Sequence, residues 1–295
     1  MRYNRISARD FSLLHTYSSG QTLNFVGDYK EGNSRQSVSF FTQKGTFSAT
    51  FVPSRSDKTS GIIYYAYSGS YAKSQAEAEL KSMLGLDADM RQVYAIIGKD
   101  KTVAKAIGQF YGMRLVKADP WQTAVCFIAS QYNNIKRIRQ IIGRLAQKFG
   151  ERLENQYLFP SCDSIASSSA EQLKACGLGF RAEYLLEFAN ACKNDNVLER
   201  LKGSNYTDAK KELMKFKGIG DKVADCILLF GYGKQEAFPV DVWIKRIVEK
   251  EYFKGRRQSI NAIHKFAEDK FGAYAGYAQQ YLFQYARLNK MKKQD

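Results

Sequence analysis

The apolar positions of this chain change their period once. In QSVSFFTQKGTFSATFV (36–52), aromatic and β-branched residues alternate with polar ones around a Lys44-Gly45 turn. GIIYYAYSG (61–69) has the same character, and both segments predict antiparallel strands. From Gln75 the spacing becomes helical: AEAELKSMLGLDADMRQVYAII sets its apolar residues three and four apart, and little strand-like alternation follows. Asp119-Pro120 breaks the chain before WQTAVCFIASQYNNIKRIRQIIGRLAQKFG, which predicts a long helical stretch. Further helices are predicted at SAEQLKAC, RAEYLLEFANACK, DAKKELMKF, KVADCILLF, DVWIKRIVEK and NAIHKFAEDKF. The pattern therefore predicts an α+β protein. An N-terminal antiparallel β-sheet domain covers residues 1–115 and a mostly helical domain covers 116–295, ending in a frayed, solvated ARLNKMKKQD.

Charge adds a partner class. The 295 residues include 45 Lys and Arg against 29 Asp and Glu, a formal charge of +16. The excess is spread, with 15 basic and 9 acidic side chains in residues 1–115 and 30 and 20 in the remainder, so no polybasic tail accounts for it. A folded basic protein of this kind fits a polyanion, and nucleic acid first. No apolar run reaches the roughly 18 residues of a membrane span, and the polar first twenty residues predict no secretory signal. Five cysteines (Cys126, Cys162, Cys176, Cys192, Cys226) form no CxxC pair and are odd in number, so free thiols in a reducing compartment are expected. His15 and His264 are not spaced with cysteines as zinc ligands are.

The candidate chemistry lies in FKGIGDKVADC (216–226). A helix starting near Asp208 must stop at Gly218. Gly218 and Gly220 are read as supplying positive-φ backbone for a tight turn, with Ile219 plugged into the core and Asp221 capping the next helix. Such a helix-hairpin-helix directs free backbone amides outward, where they can hold phosphate oxygens without reading bases. Lys222 then falls in the first helical turn, near Cys226 and Leu229. The positive end of the helix dipole and burial both disfavour an ammonium there and favour the free amine that a nucleophile requires. A lysine snorkelling to solvent is the structural alternative. Asp241, after Pro239-Val240, reads as a helix N-cap whose rigid, ionised carboxylate could also stabilise a developing cation.

GIGDKVADCILL followed by FPVDVW resembles the helix-hairpin-helix DNA glycosylases, and within them it is most similar to the 8-oxoguanine DNA glycosylases. SSGQTLNF (18–25), DPWQTAVCFIASQYNNIKRI (119–138), CGLGFRAEYL (176–185) and GAYAGYAQQYLF (272–283) extend the likeness in order along nearly the whole chain. The resemblance implies a hairpin at about 208–230, a catalytic aspartate loop at about 231–243, and a bifunctional glycosylase that flips 8-oxoguanine out of duplex DNA. Lys222 would attack the sugar C1′ and form a Schiff base whose β-elimination nicks the strand, and Asp241 would steady the oxocarbenium-like charge. The Gly20 carbonyl would accept the N7 proton that distinguishes 8-oxoguanine from guanine. Gln279 would read the pairing edge, Phe283 and Cys226 would sandwich the ring, and Phe230 would line the pocket. Asn134, Arg137 and Arg181 would surround the opposite base, Phe180 would be a wedge filling the vacated stack, and Gly218, Gly220 and Trp243 would lie along the DNA backbone.

A monomer on DNA is expected, with no required cofactor and no iron–sulfur cluster. A monovalent cation on backbone carbonyls of the hairpin is compatible with the resemblance. The expected location is the cytoplasm and nucleoid of a prokaryote or the nucleus of a eukaryote. Tyr132 and Phe180 replace the usual asparagine and tyrosine, which predicts a relaxed preference for the base opposite the lesion. Trp243 and Phe230 likewise replace a histidine and a methionine. The rival readings are an iron–sulfur pyrimidine-lesion lyase, disfavoured because no cysteine follows Cys226, an alkyladenine glycosylase, disfavoured by the hairpin lysine, and a non-catalytic DNA-binding module.

Overall fold

A computed structural model describes residues 3–21, 25–26 and 36–289. Residues 22–24 of the SSGQTLNF stretch and 290–295 of the C-terminal tail lie outside the described residues. The sheet comprises β1 (Asn4–Ala8), β2 (Phe25–Val26), β3 (Gln36–Phe41), β4 (Gly45–Pro53) and β5 (Gly61–Gly69), in the order β1-β5-β4-β3-β2 with every pairing antiparallel. The predicted strands are present and their alternation sets the face. Val38, Phe40, Phe47, Ala49, Phe51, Ile63 and Tyr65 all point inward, and the cross-strand partners Phe40 and Phe47 stack at 4.9 Å. Thr42 closes the β3–β4 turn, its Oγ1 accepting from the amides of Lys44 and Gly45.

β1 was not predicted. NRISA buries only Ile6 and Ala8, and its pairing partner lies some sixty residues away, so no local pattern announces it. A short helix, α1 (Leu13–Ser18), follows it, and α2 (Lys73–Met83) lays Ala76, Leu80 and Met83 on the apolar face of the sheet.

The other helices are α3 (Met90–Ile97), α4 (Lys101–Gln109), α5 (Pro120–Ser130), α6 (Ile135–Phe149), α7 (Cys162–Ala166), α8 (Ala170–Ala175), α9 (Arg181–Asp195), α10 (Val197–Gly203), α11 (Tyr206–Leu213), α12 (Asp221–Ile227), α13 (Val242–Tyr252), α14 (Ile260–Phe271) and α15 (Ala275–Leu288). A two-residue hairpin, β6 (Arg152–Leu153) with β7 (Gln156–Tyr157), follows α6. α3 and α4 share one continuous core with the later helices, through Val93, Ile97, Val103 and Ala106. The two layers are joined by Ala118 N–H donating to Phe230 O and Phe159 N–H donating to Thr42 O.

The predicted long helix after Pro120 is two helices. α5, capped by Asp119, ends at Ser130, and Asn134 restarts the chain by accepting the Arg137 amide at 2.9 Å. Between them Tyr132 has a φ of 47°. An asparagine whose side chain satisfies a new helix start defeats the continuous apolar period around it. No helix among the described residues is long and apolar enough to cross a membrane.

Candidate active site

The hairpin forms between α11 and α12. Ile219 is buried, as expected, but the two glycines differ. Gly218 has a φ of 82°, and a Cβ there would overlap the ring of Tyr184. Gly220 is extended, with φ −84° and ψ −177°, and a Cβ would meet nothing within 4 Å. The expectation of two positive-φ glycines is therefore corrected to one. Gly218→Ala should lower stability by about 1–3 kcal/mol through strain and overlap, whereas Gly220→Ala should stay within about 0.5 kcal/mol. Urea unfolding of both variants measures the contrast, and equal losses would refute this account.

Asp221 is likewise not the cap. Gly220 occupies the N-cap of α12 without a side-chain bond, and Asp221 turns instead to His264 Nε2 (2.8 Å) and Lys210 Nζ (2.9 Å). Asp225, one turn on and fully buried, accepts from Tyr206 Oη (2.7 Å) and pairs with Lys210 Nζ (3.0 Å). Asp221, Asp225 and His264 converge as metal ligands might, but the Lys210 ammonium already supplies the positive charge among them. Lys210, Tyr206 and His264 were missed in the sequence because their partners lie on three different helices.

Lys222, on the first turn of α12, faces away from this network into a cavity of about 590 Å³. Gly20, Cys226, Phe230, Asp241, Gln279 and Phe283 line the same cavity, as do Asn134 and Trp243. These pieces come from α12 and the turn 228–232 that follows it, from the starts of α6 and α13, from α15 and from the segment after α1. Lys222 Nζ lies 5.0 Å from the centre of the Phe127 ring, and no carboxylate of the described residues is within ion-pair distance of it. Phe127 itself stacks on Phe230 at 5.5 Å. Burial pushes the Cys226 thiol up to about 12 against the opposing pull of Lys222. It is therefore protonated at neutral pH and is a wall of the cavity rather than a thiolate nucleophile.

Asp241 caps α13 as expected, with Oδ1 accepting from the amides of Trp243 (2.9 Å) and Ile244 (2.8 Å). Burial works against the ionisation that the cap favours. Burial raises the carboxyl and outweighs the lowering by the Ile244 amide, by Lys222, by the Trp243 amide and by Arg246. Oδ2 receives no hydrogen bond from the described residues.

α15 supplies the far wall. Gln279, Phe283 and Arg287 fall four residues apart, on one stripe of the helix. Gln279 Nε2 donates to Pro239 O at 3.0 Å, while its buried Oε1 accepts from none of the described residues. An orphaned buried acceptor is costly unless a ligand satisfies it. Arg287, which was missed, stands 5.4 Å from the Phe283 ring, and the i+4 spacing from Gln279 and Phe283 is the signal that could have found it. Gly20 sits opposite with a φ of 77°. Its neighbours are held: Gln280 Nε2 donates to Ser19 O at 2.9 Å, and Gln21 bridges Arg114 O and the Val116 amide.

Gly218, Gly220, Arg137, Phe180 and Arg181 lie outside the cavity lining. Arg137 and Phe180 are exposed, the latter by 49%, so Phe180 is no core residue. Arg181 is neither a solvated charge nor free to reach out. It is buried, and its guanidinium donates to the carbonyls of Gln131, Leu178 and Tyr132.

Comparison with known proteins identifies the family. A family model described as the N-terminal domain of 8-oxoguanine DNA glycosylase matches residues 4–123, and one described as the HhH-GPD superfamily base excision DNA repair protein matches residues 125–271. The chain belongs to the 8-oxoguanine DNA glycosylases of the HhH-GPD superfamily. It is similar to the N-glycosylase/DNA lyase of Saccharomyces cerevisiae, with 28% identity across 94% of this chain and 84% of that one. A solved complex of MBOgg1 with a low-affinity DNA ligand shares 30% identity at a TM-score of 0.86, covering 98% of this chain and 100% of the other. The Clostridium acetobutylicum 8-oxoguanine glycosylase/lyase, bound to double-stranded DNA with cytosine opposite 8-oxoguanine, shares 26% identity at a TM-score of 0.85, covering 98% and 99%.

Proposed function

We propose that this member of the family excises 8-oxoguanine from duplex DNA and then nicks the strand, with Lys222 as nucleophile and Asp241 as its electrostatic partner. One observation carries the reading: Lys222, Asp241 and Gln279, whose buried Oε1 accepts no hydrogen bond from the described residues, line one cavity. The flipped base enters between Phe283 and the Cys226 wall, with Phe230 beside it. Its pairing-edge N–H groups satisfy Gln279 Oε1, and its N7–H meets the Gly20 carbonyl. Guanine lacks that N7 proton and leaves the carbonyl unpaired, a discrimination of about 1–3 kcal/mol.

The Lys222 amine attacks C1′ as the C1′–N9 bond breaks, and the base departs with the bonding electrons and takes up a proton. The Asp241 carboxylate, ionised and held on α13, offsets the cationic charge that develops at the sugar. The nitrogen then gives up a proton and its lone pair opens the sugar ring: the C1′–O4′ bond breaks, O4′ leaves as a hydroxyl, and C1′=N forms as the Schiff base. Removal of a C2′ proton then expels the 3′ phosphate. Beyond the pocket, free amides at the start of α12, together with Gly218, Gly220 and Trp243, follow the phosphate backbone, and Asn134 and Arg137 stand on the side of the opposite strand. Phe180 enters the base stack there, and Arg181 braces the loop around Tyr132. The carbonyls of Lys217, Gly218 and Ile219 accept no hydrogen bond from the described residues and fit a weakly held monovalent cation. The protein acts as a monomer wherever the cell keeps its DNA.

Borohydride trapping tests the reading. A duplex with one 8-oxoguanine should give a covalent adduct and a nicked strand, and the same duplex with guanine neither. Adducts that form equally on a methylated purine or an oxidised pyrimidine, and not preferentially on 8-oxoguanine, would assign a different lesion.

A further inference from the structure

Arg287 ends the stripe of α15 that carries Gln279 and Phe283, and bracing the protein occupies only one of its nitrogens. Nη2 donates to Ser18 O and to Gln284 Oε1 (2.7 Å), which ties the segment after α1 to the helix. Nη1 stands beside Gly20, where a Cβ built on the glycine would meet it at 3.6 Å and the Phe283 ring at 3.9 Å. Neither Nη1 nor the buried Nε donates to any of the described residues. A buried donor left unpaired is costly unless an acceptor comes to it. Among the described residues that line the cavity, Lys222 and Arg287 are the two cations and Asp241 is the one acid. Burial lowers the Arg287 guanidinium and Asp241 raises it, and an arginine keeps its charge at neutral pH.

We propose that Arg287 stabilises 8-oxoguanine as a departing anion, with Nη1 donating to O8. The inference rests on the excision reading above. Breaking the C1′–N9 bond separates charge: the sugar turns cationic and the base leaves with the electron pair. Asp241 is matched to the first charge. The Gly20 carbonyl and Gln279 Oε1 are acceptors and cannot stabilise the second, whereas a guanidinium can. The electron pair is shared between N9 and O8, because O8 is a carbonyl oxygen on the carbon next to N9. That same carbon is bonded to N7, so a donor beside the Gly20 carbonyl that accepts N7–H stands next to O8. Arg287 gives up no proton, and the attacking nitrogen releases the one that ends on the base. Guanine has hydrogen in place of O8 and offers Arg287 no acceptor there. The oxygen that marks the lesion thus also makes it the better leaving group in this pocket.

The test compares wild type, Arg287→Met and Arg287→Lys in three measurements. These are single-turnover release of 8-oxoguanine, affinity for a duplex with an uncleavable 2′-fluorinated 8-oxoguanine nucleotide, and nicking at a preformed abasic site. Arg287→Met should slow base release roughly 10²- to 10³-fold, the loss that follows removal of one donor to a developing charge. Its affinity for the uncleavable duplex should fall less than about tenfold, because the charge on O8 has not yet developed there. Its nicking of the abasic site should stay within about threefold of wild type, because no base departs in that reaction. Arg287→Lys restores a cation without the fork and should release the base at a rate between the other two. The proposal falls if Arg287→Met releases 8-oxoguanine at the wild-type rate, or if Arg287→Lys is no faster than Arg287→Met. It falls equally if nicking at the abasic site declines as far as base release, which would assign Arg287 to bracing the 18–20 segment or to a phosphate. Failure of the excision reading is distinguishable: the wild type would then nick the abasic site and leave 8-oxoguanine in place.

Discussion

Lys222→Gln is expected to leave no borohydride-trapped adduct and to lower base release on the order of 10⁴-fold or more, the scale on which loss of a covalent nucleophile acts. Glutamine keeps the stem that packs over Phe127 and beside Cys226 but cannot form an imine. Because Lys222 has no carboxylate of the described residues within ion-pair distance, its loss should change stability little. Chemistry and folding therefore separate in this variant. Lys222 is also the one lysine among the described residues that lines the cavity, so no second amine stands ready to replace it. An adduct of undiminished yield on the variant would assign the Schiff base elsewhere. The acid limb of the wild-type rate should carry the mark of Asp241. Its carboxyl is raised above the ordinary 3.8 by burial, so the ionised form is lost, and base release slows, at a higher pH than a free aspartate would give. A rate unchanged down to pH 4 would remove Asp241 from the mechanism.

Lys210→Met should cost about 3–5 kcal/mol of stability at pH 7, the range for stranding one partner of a buried ion pair. Asp225 is fully inaccessible and the Lys210 side chain is 14% exposed, and the amine lies 3.0 Å from Asp225 and 2.9 Å from Asp221. Without it, Asp225 keeps the Tyr206 hydroxyl at 2.7 Å and His264 Nε2 at 3.5 Å but loses its main counter-charge. Burial already raises the Asp225 carboxyl against the pull of Lys210 and then His264, so removing Lys210 raises it further. The variant's native state then takes up the Asp225 proton at a higher pH than the unfolded chain, whose carboxyl titrates near 3.8, so its stability should recover as pH falls below 7. Asp221 has the opposite sign in the wild type. Burial opposes, but His264 and Lys210 together depress its carboxyl to about 2, so its contribution is present above 3.8 and is lost as pH falls through 2. Urea unfolding at pH 5 and 7 reads the difference. Adding Asp225→Asn to Lys210→Met should restore most of the loss, and a double variant no more stable than the single one would refute the ion-pair account.

The two predictions divide α12 by its faces. Its outer turn carries Lys222 into the cavity, and its inner side carries Asp221 and Asp225 to α11 and α14. The sequence shows an apolar helix after a glycine turn and a lysine in its first turn. It does not show that the aspartate beside that lysine is drawn back by a histidine forty-three residues away.

What the sequence determined by itself was local or carried by motif. Alternation in 36–52 and 61–69 specified the strands and their inward faces, because a period of two assigns every side chain to one side of a sheet. The Pro-Val-Asp triplet specified a capping aspartate, because the hydrogen bonds that define a cap span only three residues. The order of the quoted motifs specified the family. What only the tertiary structure decided were properties set by neighbours distant in the chain. These are the pairing of β1, the break at Gln131–Asn134, the burial of Arg181 under a loop it braces, and the orphaned oxygen of Gln279. Burial, likewise, raised Asp241 where its capping amides alone would have lowered it. In each case the deciding energy is desolvation or a contact between residues brought together only by folding, and no local pattern of apolar and polar positions records it.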